Sequence, residues 1–88
     1  MLGPSSLEVC YEMPKVIAYV LALASAGSEH DVAEQIKKIE DVTDAKVCYG
    51  AWDIVVSVET ENFGKLDAVV TKIRKLPNIE QTTTLVAT

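Results

Sequence analysis

Eighty-eight residues, 49% of them hydrophobic, make one small domain; a chain of this size buries only roughly 60% of its unfolded surface, so a partner is expected to help complete the core. A net charge of −5 and a pI near 4.7 exclude a phosphate-binding surface, because unspecific nucleic-acid affinity comes from Lys and Arg displacing counterions. Aromatic residues are few, so small aliphatic side chains must fill the interior.

Residues 1–14, with Gly3-Pro4-Ser5-Ser6 and Pro14, stand outside the repeating pattern and read as an N-terminal extension; Met13 is a candidate natural start. The periodic domain is expected over residues 15–88. Cys10 and Cys48 form no CxxC, which is neither a zinc pattern nor a disulfide framework, so reduced thiols in a cytoplasmic protein are expected. Lys15, the apolar run after it and Ala24-Ser25-Ala26 imitate a secretory signal, yet Glu8 and Glu12 precede it in place of a basic run. The run is also shorter than the about 20 apolar residues that cross a bilayer, so no membrane segment is expected.

Residues 15–25 are apolar on both alternating faces: Val16, Ala18, Val20 and Ala22 on one, Ile17, Tyr19, Leu21 and Leu23 on the other. This is the pattern of a central strand covered on both sides. Gly27 breaks it, and Ser28 with Asp31 three residues on suggests an N-cap. Val32, Ile36 and Ile39 then recur at helical spacing, with Glu34 and Lys38 as an i,i+4 pair, in a helix expected to end near Glu40.

Strands are expected at residues 45–49 and 54–59, joined by a tight hairpin. With Ala51-Trp52 as a two-residue loop, Tyr49 faces Ile54, Val47 faces Val56 and Ala45 faces Val58. The opposite face carries Lys46, Cys48, Val55, Ser57 and Glu59. Asn62 suits an N-cap for a second helix with the stripe Phe63, Leu66, Val69, Val70, Ile73 and Leu76, and Lys72, Arg74 and Lys75 fall near its negative end. Pro77-Asn78 stops that helix, and the β-branched residues 79–87 read as a last strand at a sheet edge.

The order βαββαβ predicts an α+β, ferredoxin-like fold: a four-stranded antiparallel sheet with two helices on one face. Since the first strand is apolar on both faces, the second sheet face is expected to be buried against another copy, in a dimeric α+β barrel-type assembly.

No catalytic constellation is legible. His30 is the sole histidine, sits where a first helical turn is exposed, and has no second ligand at metal spacing. No phosphate loop, nucleophile elbow or HExxH occurs, so neither an enzyme nor a resident cofactor is expected. The hairpin tip is the most informative local feature: Gly50 relieves backbone strain, Trp52 offers an aromatic wall, and Asp53 places a carboxylate beside backbone N–H groups. Such a tip can hold a zwitterion, with backbone donors on its carboxylate and Asp53 on its ammonium. Equally, Asp53 can serve only to cap the turn.

The stretch Lys46-Val47-Cys48-Tyr49-Gly50-Ala51-Trp52-Asp53-Ile54-Val55-Val56 resembles the "V-x-x-x-G-x-[aromatic]-D-hydrophobic" hairpin of the Lrp/AsnC C-terminal effector domain, also called the RAM domain. Leu76-Pro77-Asn78-Ile79 followed by Thr82-Thr83-Thr84-Leu85-Val86 is similar to that family's closing strand. The resemblance implies a domain that dimerises through its sheet, assembles four dimers into a ring, and binds small effectors, commonly amino acids, between dimers. It implies Gly50, Ala51, Trp52 and Asp53 as the effector loop, and Thr82 and Thr84 on a strand that approaches it. No counterpart of the family's helix-turn-helix half is visible before Lys15. Tyr49, Ala51 and Asn78 depart from the family's usual residues, and a bulky Tyr49 can reshape or shield the pocket.

Three functions therefore compete. The first is a transcription-related amino-acid sensor acting through oligomerisation, alone or in mixed assembly with full-length Lrp/AsnC-type regulators. The second is a ligand-free assembly partner of those regulators. The third, resting on fold analogy alone, is a ferredoxin-like enzyme or an ACT-type module.

Overall fold

The computed structural model describes residues 15–87, and six elements follow in chain order: β1 (Val16–Ala24), α1 (Glu29–Lys37), β2 (Val42–Val47), β3 (Ile54–Thr60), α2 (Phe63–Arg74) and β4 (Ile79–Ala87). The strands form one antiparallel sheet in the order β2-β3-β1-β4, the ferredoxin-like arrangement. The expected fold class is thus observed, with β1 central and β4 at an edge.

Alternation decides what each side of the sheet carries. Ala18, Val20 and Ala22 of β1 and Ile54, Val56 and Val58 of β3 are buried, together with Ala45 of β2. Val32, Ala33 and Ile36 of α1 and Leu66, Val69 and Ile73 of α2 close over them. The helix side of β1 is mostly alanine, which lets the helix backbones approach closely. Its bulky residues, Ile17, Tyr19, Leu21 and Leu23, all point to the other side, which no helix among the described residues covers.

Local signals set the helix ends. Asn62 caps α2, its Oδ1 accepting the Lys65 N–H at 2.8 Å, and the buried Thr60 hydroxyl donates to the Asn62 carbonyl at 3.0 Å. Lys72 and Arg74 stand in the last turn, where cations offset the helix dipole. Asn78 turns the chain into β4 at φ 73°, a left-handed conformation that Asn tolerates better than most residues. Its carbonyl accepts the Ser25 N–H at 2.8 Å.

Several expectations need correction. Helix α1 stops at Lys37, short of Glu40, where the bonds tighten to Lys38 N–H on the Gln35 carbonyl at 3.2 Å and Ile39 N–H on the Ile36 carbonyl at 3.0 Å; Asp41, at φ 76°, then turns the chain into β2. Ser28 occupies the N-cap position but makes no capping bond; its hydroxyl donates instead to the Ser25 carbonyl at 2.6 Å. Glu34 pairs with Lys37 at 3.1 Å, not with Lys38. Phe63 opens α2 one turn outside the packed stripe and is 65% exposed.

The largest correction concerns register. Strand β2 starts three residues earlier than expected and ends at Val47, and Val47 pairs with Ile54 and Ala45 with Val56. Cys48 donates its N–H to the Asp53 carbonyl at 2.7 Å, so the connection is wider than a two-residue turn and Tyr49 lies outside the ladder. The slip is two residues, an even number, so the side chains of Ala45 and Val47 stay on their expected face, while Tyr49 leaves it for solvent.

Candidate functional site

The sequence Gly50-Ala51-Trp52-Asp53 forms the tip between β2 and β3. Gly50 has φ 140°, a backbone region that a side chain disfavours, so the aromatic-acidic pair after it depends on glycine there. Tyr49 is fully exposed and Trp52 half-buried. Asp53 is not free. Its N–H donates to the Ala22 carbonyl at 3.0 Å, and its Oδ2 accepts the Ala24 N–H at 3.1 Å. The regular β1–β3 ladder ends at the Ala22–Ile54 pair, and the Asp53 side chain supplies the acceptor that the strand no longer offers.

The last residues of β1 are therefore held from both sides. Ala24 is tied to the hairpin tip by Asp53, and Ser25 is tied to the start of β4 by Asn78. The two stretches that stood out in sequence meet at this one strand end. Nothing in the spacing of either stretch announces that link, because Ala24 and Ser25 belong to neither.

Thr82 and Thr84 lie elsewhere in the same chain. They pair with Ala22 and Val20 across β1, so they face the helix side of the sheet. Two strand spacings, about 10 Å, separate β4 from β3. Within one chain the hairpin tip and the two threonines do not converge. Thr82 and Thr84 instead line a groove of about 510 Å³ between β4 and α2, with Val70, Arg74, Ile79 and Glu80. Sequence reasoning assigned no role to Arg74 beyond the helix dipole and none to Glu80. The signal available was the spacing of Arg74 from Val70 by one helical turn.

The sheet face away from the helices carries Ile17, Tyr19, Leu21 and Leu23 of β1, with Val55 of β3 and Leu85 of β4 opposite Leu21 and Tyr19. Ile17 and Tyr19 are each 41% exposed and Leu85 51%. This is a continuous apolar strip along the central strand.

At the start of α2 Lys65 bonds the Glu61 carboxylate; that hydrogen bond, followed by the lysine's charge, lowers the Glu61 pKa from its ordinary 4.5 and raises that of Lys65 from 10.5. His30 is exposed, in keeping with the surface role expected for it. Among the described residues no group of three or more His, Cys, Asp or Glu could hold a metal ion. Among them, too, no helix is long and apolar enough to cross a membrane.

Topology and site together define a ferredoxin-like α+β domain covered by helices on one side only. Residues 17–88 match the family model of the Lrp/AsnC ligand binding domain, and the chain belongs to that family, whose relatives include transcriptional regulators. Among solved structures, the hypothetical protein PHS023 from Pyrococcus horikoshii is 40% identical, with a TM-score of 0.78 over 83% of this chain and 89% of that one. TTHA0845 from Thermus thermophilus is 30% identical, with a TM-score of 0.79 over 83% and 92%. The HTH-type transcriptional regulator FL11 from Pyrococcus abyssi is 28% identical over 71 residues, which are 81% of this chain and 47% of the regulator. The chain thus spans less than half the length of the curated relatives it matches.

Proposed function

We propose that this domain is a cytoplasmic sensing and assembly module: it binds a small amino-acid effector, associates with itself as a dimer and then as a ring of four dimers, and adjusts the action of full-length Lrp/AsnC-type regulators. The observation that carries this reading is the uncovered apolar strip of β1. Burying apolar surface yields roughly 25 cal/mol per Å², and a second copy with the same strip is self-complementary about a two-fold axis. The acidic chain supplies no footprint for phosphate, so any DNA contact in a mixed assembly belongs to the full-length regulator.

The effector is placed at the hairpin tip, Gly50, Ala51, Trp52 and Asp53, with Thr82 and Thr84 contributed by another copy. Two observations support that division: the tip and the threonines are separated by β1 within one chain, and Ala24 engages only Oδ2 of the Asp53 carboxylate. A thermal-shift panel of the free amino acids tests it, since a ligand at 100 times its dissociation constant adds about 2.7 kcal/mol. A hit present in the wild type and absent in Asp53→Ala supports the tip as the site.

A second reading, a ligand-free assembly partner, is favoured by the engagement of Asp53 with the Ala24 N–H. It predicts self-association or pairing with a regulator and no amino-acid shift at all.

A further inference from the structure

Tyr49 is 104% exposed, a large ring that its own chain leaves uncovered, and its backbone is anchored one residue earlier by the Cys48 N–H on the Asp53 carbonyl at 2.7 Å. A side chain that joins an apolar body to a polar hydroxyl is the kind enriched at protein interfaces. At the other edge of the sheet, β4 and α2 enclose the groove of about 510 Å³ lined by Val70, Arg74, Ile79, Glu80, Thr82 and Thr84. Val70 and Ile79 are half-buried there. Arg74 is exposed and takes no part in the ion pairs found among the described residues, Lys15–Glu59, Lys37–Glu34, Lys46–Asp44 and Lys65–Glu61.

A tyrosine answers each part of that groove. Its ring buries against Val70 and Ile79, and a guanidinium stacks on an aromatic face more readily than a hydrated ammonium does. Its hydroxyl finds acceptors in the Glu80 carboxylate and the threonine hydroxyls. Tyr49 does not reach the groove of its own chain, because β2 and β4 are the two edges of the sheet, three strand spacings or about 14 Å apart, with β3 and β1 between them.

We propose that Tyr49 of one copy docks in the α2–β4 groove of a second copy. This rests on the reading that the domain assembles beyond a dimer, and names the contact that joins the dimers. Knob and groove are different patches at opposite edges, so the contact runs head to tail and either closes into a ring or continues open. It leaves the apolar strip on the other sheet face free for the two-fold dimer. One tyrosine buries about 150–250 Å², less than a stable interface needs, so Tyr49 anchors a larger contact around it. That contact also brings the hairpin tip of one copy toward Thr82 and Thr84 of the next.

The test is sedimentation velocity of the whole chain across a dilution series. Wild type is expected to form a species larger than a dimer. Tyr49→Ala should raise the concentration at which that species dissociates about tenfold or more, and Thr84→Arg, which fills the groove, should do the same with circular dichroism unchanged. Arg74→Glu, at an exposed helix position, takes the place of Thr84→Arg if the edge strand does not tolerate arginine. Mixing the knob and groove variants supplies one intact knob and one intact groove, and should restore larger species that neither forms alone. A wild type that never exceeds a dimer overturns the contact and the ring reading together. A larger wild-type species unchanged by Tyr49→Ala overturns the contact and leaves the ring. Dissociation in Tyr49→Ala without dissociation in the groove variant, or no recovery on mixing, overturns the groove as the place where Tyr49 docks.

Discussion

The Asp53 carboxylate accepts the backbone N–H of Ala24 at 3.1 Å, so a hairpin-tip residue closes the ladder of the central strand. Ala24 is buried, and water does not readily replace a lost partner there. Asp53 therefore has a structural duty that precedes any ligand.

Replacing Asp53 by Ala should lower stability by about 1–2 kcal/mol, the cost of leaving a buried donor unsatisfied. Asn keeps an acceptor at the same place and should recover most of the loss. Chemical denaturation of the two variants checks this; equal stability of Asp53→Ala and wild type would show that the Ala24 bond contributes nothing. The comparison also matters for binding, because a ligand lost in Ala but kept in Asn points to tip geometry, not charge.

The apolar strip makes a prediction about assembly. Tyr19→Lys or Leu85→Lys places a charge in the middle of that face and should convert the proposed dimer to monomer, as read by light scattering across a dilution series. Both positions face away from the helix-covered core, so the far-UV circular dichroism of each variant should stay close to wild type. A wild-type chain that is monomeric at all concentrations would remove the basis for the dimer.

Asp41 and Asn78 both hold positive φ, 76° and 73°. Valine at either site should cost about 1–2 kcal/mol, because the left-handed region crowds a branched Cβ. Glycine at Asp41 should raise stability by about 0.5 kcal/mol, the relief of strain exceeding the entropy that glycine adds to the unfolded chain. Thermal unfolding of the three variants ranks them directly.

The Asn62 cap offers a simpler check. Asn62→Ala removes the acceptor of the Lys65 N–H and should destabilise by about 1 kcal/mol, whereas Asn62→Asp should be nearly neutral. Urea midpoints at constant m-value are the measurement.

The Glu61–Lys65 pair predicts a pH effect with a definite sign. The folded pKa of Glu61 lies below 4.5, so its contribution is present above 4.5 and fades as pH falls through the folded value. The folded pKa of Lys65 lies above 10.5, so its contribution is present below 10.5 and is lost as pH rises through the folded value. Both groups are fully exposed, so salt should screen the effect. A carboxyl titration by NMR should place Glu61 below 4.5 in the wild type and return it toward 4.5 in Lys65→Met.

The elements were legible because their periods are unambiguous. The β1 alternation of small and bulky residues, the Val32 and Ile36 spacing, and the Leu66, Val69 and Ile73 stripe each bury one face where expected. The hairpin register was not legible, since a two-residue slip exchanges one apolar pairing for another on the same face. Local signals placed Ser28 at the N-cap but not its hydroxyl, which donates to the Ser25 carbonyl instead of accepting from the helix.

By itself the sequence determined the βαββαβ order, the faces of the strands and the family, because hydrophobic period and the two motif stretches are local properties of the chain. Only the tertiary structure decided that the hairpin tip and Thr82 and Thr84 are separated by β1, that Asp53 is engaged by Ala24, and that Arg74 and Glu80 share a groove. Those facts depend on strand order and on contacts between residues distant in sequence, where no periodicity carries information. The chain specifies them through the packing of its whole core, and they become visible only when the sheet is assembled.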